Sequence, residues 1–347
     1  MAMTYRDPAH LARRLAEWVR HRHPQRCSVA VGDMRRPSAG WSNETLLFTL
    51  TWTGGGASES QRLVLRLPTL VPSFPVYDLG AQARVLDALQ AAGIAAPEAI
   101  AFEPDESWLG APFLLMSHVP GRAGPEAPGL DPWLADAEPA VQRTVQERFL
   151  ATLAIIHHVD ARGCGLRGGT GALASEVEWW NAYVDWAADG KPARLLADAI
   201  AWCRHTVPAC EPDATLCWGD ARLGNVMFDD DRRVTAVLDW ELASVGPAEM
   251  DLAWYLALDA LTAKFTAAVP GFLDRDRAIA FYEQRLGRAV DDLEWHEVFA
   301  LVRSAAVNDR QARMARAAGV KYPGVAGDDN PVLRYVARKI ERYGSAS

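Results

Sequence analysis

"LCWGDARLGNVMFDDDRRVTAVLDWE", residues 216–241, sets out Asp220, then Asn225 five residues on, then Asp239 fourteen beyond that. Two runs rich in strand formers, NVMFDD and RRVTAVLDW, flank the acidic, polar turn DDDRR. Short strand-like runs joined by such a turn predict a hairpin. A hairpin of that length brings Asn225, at its start, close to Asp239, at its end, and leaves Asp220 on the loop just before it. One hard oxygen ligand from each arm suits a magnesium-nucleotide complex, because the metal keeps several waters and takes few protein ligands. The remaining carboxylate is then free to accept a proton from a hydroxyl as phosphate transfers. The spacing points to a kinase.

Working outward, DPAHLARRLAEWVRHRHP opens on Asp-Pro and places Leu11, Leu15, Trp18 and Val19 at helical spacing, so an amphipathic helix is expected near the start. TLLFTLTW and RLVLRLP flank the Gly-rich TGGGASESQ and predict a hairpin. YDLGAQARVLDALQAAG predicts a helix ending at Gly93, and PFLLMSHVPG a strand stopped by Pro120 and Gly121. From GRAGPEAPGLDP onward the pattern turns helical. The expectation is an α+β, two-lobed chain: a small sheet-rich lobe over 1–118, a hinge near Ser117 to Gly121, and a larger helical lobe over 119–347.

Composition limits the chemistry. The chain has 347 residues and a formal net charge of -8, which argues against a nucleic-acid partner because phosphate backbones are met by basic faces. Five cysteines, Cys27, Cys164, Cys203, Cys210 and Cys217, form no C-x-x-C pair and fit a reducing compartment. With no apolar run at the charged start and no stretch long enough to span a membrane, a soluble, cytoplasmic protein is expected. GCGLRG at 163–168 satisfies G-x-G-x-x-G but follows a helix, so it reads as a loop, and no Walker-type phosphate loop occurs. Adjacent helical residues do not share a face, so of His157 and His158 one is expected inside, as core or brace, and the other at the surface.

WGDARLGNVMF, VLDWE and DLAW together resemble the signature of the aminoglycoside phosphotransferase and choline kinase-like superfamily, H-G-D-x-x-x-x-N followed by D-W-E or D-F-E. The resemblance runs from about Arg36 to about Asp259, through GWSNETLLF, RLVLRLP, PFLLMSHVPGR and LATLAIIHHVD. It implies a two-lobed protein-kinase-like fold and an ATP- and Mg2+-dependent transfer of the γ-phosphate to a hydroxyl of a small molecule. Asp220 would be the catalytic base, Asn225 and Asp239 the metal ligands, and Arg222 would point at the transferring phosphate. Ser42 and Asn43 would lie in the loop over the phosphates, and Arg66 at the position of the strand lysine that holds them. Met116, Ser117, His118 and Val119 would line the adenine, with Met227 as the floor beneath it and Asp251 bracing the catalytic loop.

Three positions depart from the pattern: Trp218 stands for the histidine before G-D, Arg66 for the strand lysine, and Gln82 for the helix glutamate that pairs with it. They motivate an alternative, a catalytically impaired nucleotide-binding scaffold or regulator. An indole at 218 has a single donor and must hold the loop largely by packing, so burial beneath that loop is expected. Asp239 and Asp251 are twelve residues apart, too close for a peptide-docking segment, which favours a small acceptor. From Asp251 to Ser347 there are thirteen Asp/Glu against fourteen Lys/Arg, with Arg303, Arg310 and Arg313 close in sequence. That balance disfavours a polycationic acceptor and suits a neutral or anionic hydroxyl compound.

Overall fold

The computed structural model describes residues 5–37, 43–55, 57–169, 172–209, 214–322 and 325–346. Asp7 caps helix α1 (Pro8–Arg22), its carboxylate accepting from the N–H groups of Ala9 and His10. Five strands follow: β1 (Cys27–Arg35), β2 (Asn43–Gly54), β3 (Ala57–Pro68) and, after helix α2 (Leu79–Ala91), β4 (Ala99–Glu103) and β5 (Phe113–Ser117). They form one sheet in the order β1-β2-β3-β5-β4, with every pair antiparallel.

Strand alternation explains how both faces of this sheet are covered. Phe113 and Leu115 join Leu65 and Phe48 in a core sealed by Leu11, Leu15 and Trp18 of α1. Leu114 and Met116 point the other way and pack with Leu86 and Leu89 of α2 in the large core shared with the helical part. Strand β1 was not foreseen in the sequence. It carries positive φ at Ser28 and two register breaks against β2, so its side chains do not alternate as a regular strand's do.

The helical part contains β6 (Arg122–Ala123), α3 (Pro132–Ala135), α4 (Pro139–Ile156), α5 (Ala172–Ala187), α6 (Arg194–His205) and β7 (Thr215–Cys217). It continues with β8 (Val226–Phe228), β9 (Val234–Val237), β10 (Ser244–Gly246), α7 (Glu249–Thr262), α8 (Arg275–Leu286), α9 (Leu293–Ala318) and α10 (Pro331–Ala346). The expected hairpin is β8–β9, with Val226 opposite Val237, and β6 adds a third strand beside β8. The chain is thus α+β, a sheet-rich N-terminal part followed by a helical C-terminal part. Among the described residues no helix is long and apolar enough to cross a membrane.

A cavity of about 520 Å³ lies between α7, α9 and α10, and Asp259 lines it. Burial pushes the Asp259 carboxyl up from 3.8 to about 6. The unfolded chain therefore ionises this group at lower pH than the folded one, and stability falls as pH rises through that window. Asp259→Asn is expected to raise the melting temperature at about pH 8 and to leave it unchanged below about pH 4. Melts at the two pH values check this, and equal shifts at both would remove the carboxyl's charge as the cause.

Candidate active site

The loop after β7 is built on a glycine and a buried aspartate. Gly219 has φ of 88°, and a Cβ there would lie 2.3 Å from the Leu242 carbonyl oxygen, so only glycine fits. Asp251, fully buried in the first turn of α7, accepts from the Trp218 N–H at 2.6 Å and the Gly219 N–H at 2.8 Å. His157 Nε2 lies 3.0 Å from the same carboxylate and His157 Nδ1 lies 2.5 Å from the Tyr282 hydroxyl, while His158 is exposed. Asp251 thus braces the loop and His157 braces Asp251.

Trp218 is 1% exposed. Its indole stacks on Trp240 with centroids 5.7 Å apart, meets Phe149 at 6.3 Å, and donates Nε1–H to the Leu238 carbonyl at 2.8 Å. Since Leu238 precedes Asp239, the indole ties the loop to the far end of the hairpin. Packing and one donor do here what hydrogen bonds of a smaller ring would otherwise do.

Asp220 follows with a side chain 15% exposed. Oδ2 accepts from Arg222 Nε at 2.9 Å and Asn225 Nδ2 at 2.7 Å, and Oδ1 accepts from Trp254 Nε1 at 3.0 Å. Arg222 also pairs with Glu126. Burial works against the Arg222 charge, but Asp220 and Glu126 outweigh it and hold the guanidinium protonated more firmly than usual. Asn225 ends a single 3-10 turn (Leu223–Asn225), and its carbonyl accepts the Leu238 N–H at 2.8 Å, which draws the two ends of the hairpin together.

Asp239 sits at φ of 66°, a left-handed backbone that a non-glycine residue seldom adopts and that often marks a functional position. Arg66 Nη2 lies 2.7 Å from Asp239 and 3.6 Å from Glu241, and Asn43 Nδ2 donates to Glu241. The β2–β3 register, with Thr45 opposite Arg66, brings Asn43 and Arg66 to the same end of the sheet. Burial disfavours the Arg66 charge, and Asp239 and Glu241 more than offset that, so the group is held charged. The partner of Arg66 is therefore the hairpin end, while Gln82 lies buried on the wall of the same cleft.

That cleft has a volume of about 450 Å³, and Asn43, Arg66, Met116, Ser117, His118, Val119, Arg222, Asn225, Met227 and Asp239 all line it. Asp220 lies behind Arg222 and Asn225. Ser42 lies outside the described residues. Where the sequence predicts a hinge, the Ser117 N–H is taken by Glu98 O and the His118 N–H by Arg62 O. Sequence reasoning missed Glu126, Glu241, Trp254 and Arg303 (α9), all of which touch this network. Glu241 and Trp254 stand within VLDWE and DLAW, whereas nothing in the sequence around Glu126 or Arg303 marks either for a role at the site.

Arg303, Arg310 and Arg313, close in sequence, form no common charged patch. Arg303 is 1% exposed and donates from Nη2 to the Gly219 carbonyl at 2.7 Å, whereas Arg310 bonds Pro72 O and Arg313 bonds Asp309.

A cleft beside an antiparallel sheet, backed by a braced G-D loop and a hairpin ending in a carboxylate, is the arrangement that the kinase-like resemblance implies. The sequence profile of the family described as "Phosphotransferase enzyme family" matches residues 33–313, and the chain belongs to that family. Among solved structures it is similar to a Ralstonia eutropha protein provisionally named an aminoglycoside phosphotransferase, at TM-score 0.67 and 22% identity over 95% of this chain and 98% of that one. It is also similar to an ethanolamine kinase of Plasmodium vivax, at TM-score 0.53 and 11% identity over 91% and 82%. These likenesses establish the two-lobed fold. Among curated relatives, acyl-CoA dehydrogenase family member 11 of Gallus gallus is 32% identical over 236 residues, which is 67% of this chain and 28% of that protein. Family member 10 of Mus musculus is 31% identical over 62% of this chain and 20% of that protein. The chain thus spans about a quarter of the length of these relatives.

Proposed function

We propose that the protein transfers the γ-phosphate of ATP, with Mg2+, to a hydroxyl of a small molecule, using Asp220 as general base. The observation that carries this reading is that Asn225 and Asp239 line one cleft with Met116 to Val119, and that Asn225 holds the Asp220 carboxylate directly behind it. In this reading residues 1–118 form the nucleotide lobe and 119–347 the acceptor lobe. A Ser117 carbonyl and a Val119 N–H would meet the adenine edge, since the Ser117 and His118 N–H groups are already engaged.

The donor set fits Mg2+. Asn225 spends its Nδ2 on Asp220, so its Oδ1 is available as a hard neutral ligand, and Asp239 adds a carboxylate. Bound there, the metal would neutralise charge on the phosphates. Arg66 would exchange its contact with Asp239 for the phosphates, and Arg222, bonded to Asp220 through Nε, would face the transferring group. Asp220 would take the hydroxyl proton while its Oδ2 stays held by Arg222 and Asn225.

The balance of charge beyond Asp251 and the short gap before it favour a small acceptor that is not a polycation. The acyl-CoA dehydrogenase names of the curated relatives, of which this chain spans about a quarter, are a reason to include hydroxylated acyl thioesters among the acceptors tested. Related structures hold GDP, or ADP with hygromycin B, which supports nucleotide use here. Four described cysteines are free thiols, in keeping with a cytoplasmic setting. The hold of Arg66 on Asp239 favours one second reading, a scaffold that binds nucleotide and does not transfer phosphate.

Mg-ATP at a hundred times its Kd is expected to stabilise the protein by about 2.7 kcal/mol, seen as a raised melting temperature. Asp239→Ala is expected to remove the metal-dependent part of that shift. No shift in the wild type would defeat the nucleotide reading, and ATP consumption with hydroxylated acyl thioesters, other alcohols and aminoglycosides separates an enzyme from a scaffold.

A further inference from the structure

Asp220 can receive an acceptor hydroxyl on only one of its two oxygens. Oδ2 accepts from Arg222 Nε and from Asn225 Nδ2, which fills both of its in-plane lone-pair positions. Oδ1 accepts one hydrogen bond, from Trp254 Nε1 at 3.0 Å, and keeps one lone pair. Trp254 projects from α7, so its N–H stands beside the very oxygen that must take the proton and fixes the plane of the carboxylate. The indole is 5% exposed and has little freedom to turn.

Behind the indole lies Arg303. Its guanidinium is 4.7 Å from the Trp254 ring centroid and 5.2 Å from that of Trp180, and its Nη2 donates to the Gly219 carbonyl. Arg303 Nε and Nη1 are buried without a hydrogen-bond partner, and no ion pair to Arg303 occurs among the described residues. Burial loosens its hold on the proton, and Glu176 and Asp251 offset only part of that. A buried guanidinium without an ion-pair partner is costly, and an apolar side chain would fill a box of Trp180, Trp254 and Phe299 at lower cost. What only the guanidinium supplies is a flat face under the indole together with a donor to the carbonyl preceding Asp220. It grips the base from two sides, through its backbone and through the indole that holds its carboxylate.

We propose that Trp254 and Arg303 are the positioning residues of Asp220: Trp254 turns Oδ1 toward the acceptor hydroxyl, and Arg303 holds both Trp254 and the Gly219 carbonyl in place. The proposal rests on Asp220 being the base. The acceptor hydroxyl donates to Oδ1 on the side flanked by the indole. Its O–H bond breaks as the proton passes to Oδ1, its oxygen forms the new bond to the γ-phosphorus, and ADP leaves with the bridging oxygen and its electron pair.

Trp254→Phe keeps the ring and removes the N–H. It is expected to lower kcat about ten- to hundredfold, the worth of a hydrogen bond to a charged group, with KM for ATP and the Mg-ATP melting shift unchanged. Arg303→Met is expected to lower kcat in the same way and Arg303→Lys to recover part of it through the Gly219 carbonyl. A second readout does not need turnover: the indole N–H resonance that Trp254→Phe deletes is expected to move in Asp220→Asn and in Arg303→Met. Unchanged kcat in Trp254→Phe, with an active wild type, would overturn the positioning role and leave the base intact. An indole resonance indifferent to both substitutions would overturn the contact itself. A wild type that transfers phosphate to no alcohol, while the resonance still responds to Asp220→Asn, would overturn the base and the positioning role together and leave only the contact.

Discussion

Asp220→Asn is expected to lower kcat by about a hundred- to ten-thousandfold, the range that a positioned base contributes, while Mg-ATP still raises the melting temperature. The hydrogen-bond pattern around the carboxylate makes the loss specific. Two donors, from Arg222 and Asn225, converge on Oδ2, so the amide oxygen of an asparagine would settle there. The amide NH2 would then face the Trp254 N–H, donor against donor, at the position of the oxygen that should accept the proton. The reverse orientation would set the NH2 against two donors and is worse. The favoured orientation offers the hydroxyl no acceptor, and in either one the amide oxygen is too weak a base to take the proton, while Asp239 and the cleft wall are left unaltered. Steady-state rates and melts of the same preparation check both halves, and a variant as fast as wild type would remove Asp220 from the chemistry.

What the sequence made legible was local. The polar turn between NVMFDD and RRVTAVLDW was enough to predict β8–β9, and the hairpin then fixed the neighbourhood of Asn225 and Asp239 because a two-stranded ladder has one register that buries its apolar face. The large aromatic at 218 could be read as a packing anchor because an indole has one donor and much apolar surface. What stayed hidden was contact at long range. Arg66 finds Asp239 across 173 residues, Arg222 finds Glu126 across 96, and Trp254 finds Asp220 across 34, and no spacing rule spans such gaps. Arg66 was expected to follow the strand lysine, whose partner is a helix glutamate. With glutamine at 82, the nearest anions are Asp239 and Glu241, and the guanidinium goes to them. Arg303 misled for a related reason. A charge on an amphipathic helix ordinarily reads as solvated, and only the aromatic box supplied by α5 and α7 lets it be buried.

Trp218→His is expected to destabilise the protein by about 2–4 kcal/mol, within the range of large-to-small changes in a core. Imidazole is smaller than indole, so the stack on Trp240 and the contact with Phe149 are both lost, and the surrounding side chains belong to a core too well anchored to close the gap. An imidazole N–H could reach the Leu238 carbonyl only by leaving that stack further. Trp218→Phe separates the two contributions, since it keeps most of the packing and removes the donor to the half-buried Leu238 carbonyl, and about 1 kcal/mol is expected for that lost bond. The Asp251 bonds to the backbone N–H groups of residues 218 and 219 survive in both variants, so the loop keeps its brace and the change is one of packing. Urea titrations with an unchanged m-value and a lowered midpoint are the expected result. A midpoint equal to or above wild type in Trp218→His would mean that the indole does not anchor the loop and that hydrogen bonding at this position serves as well.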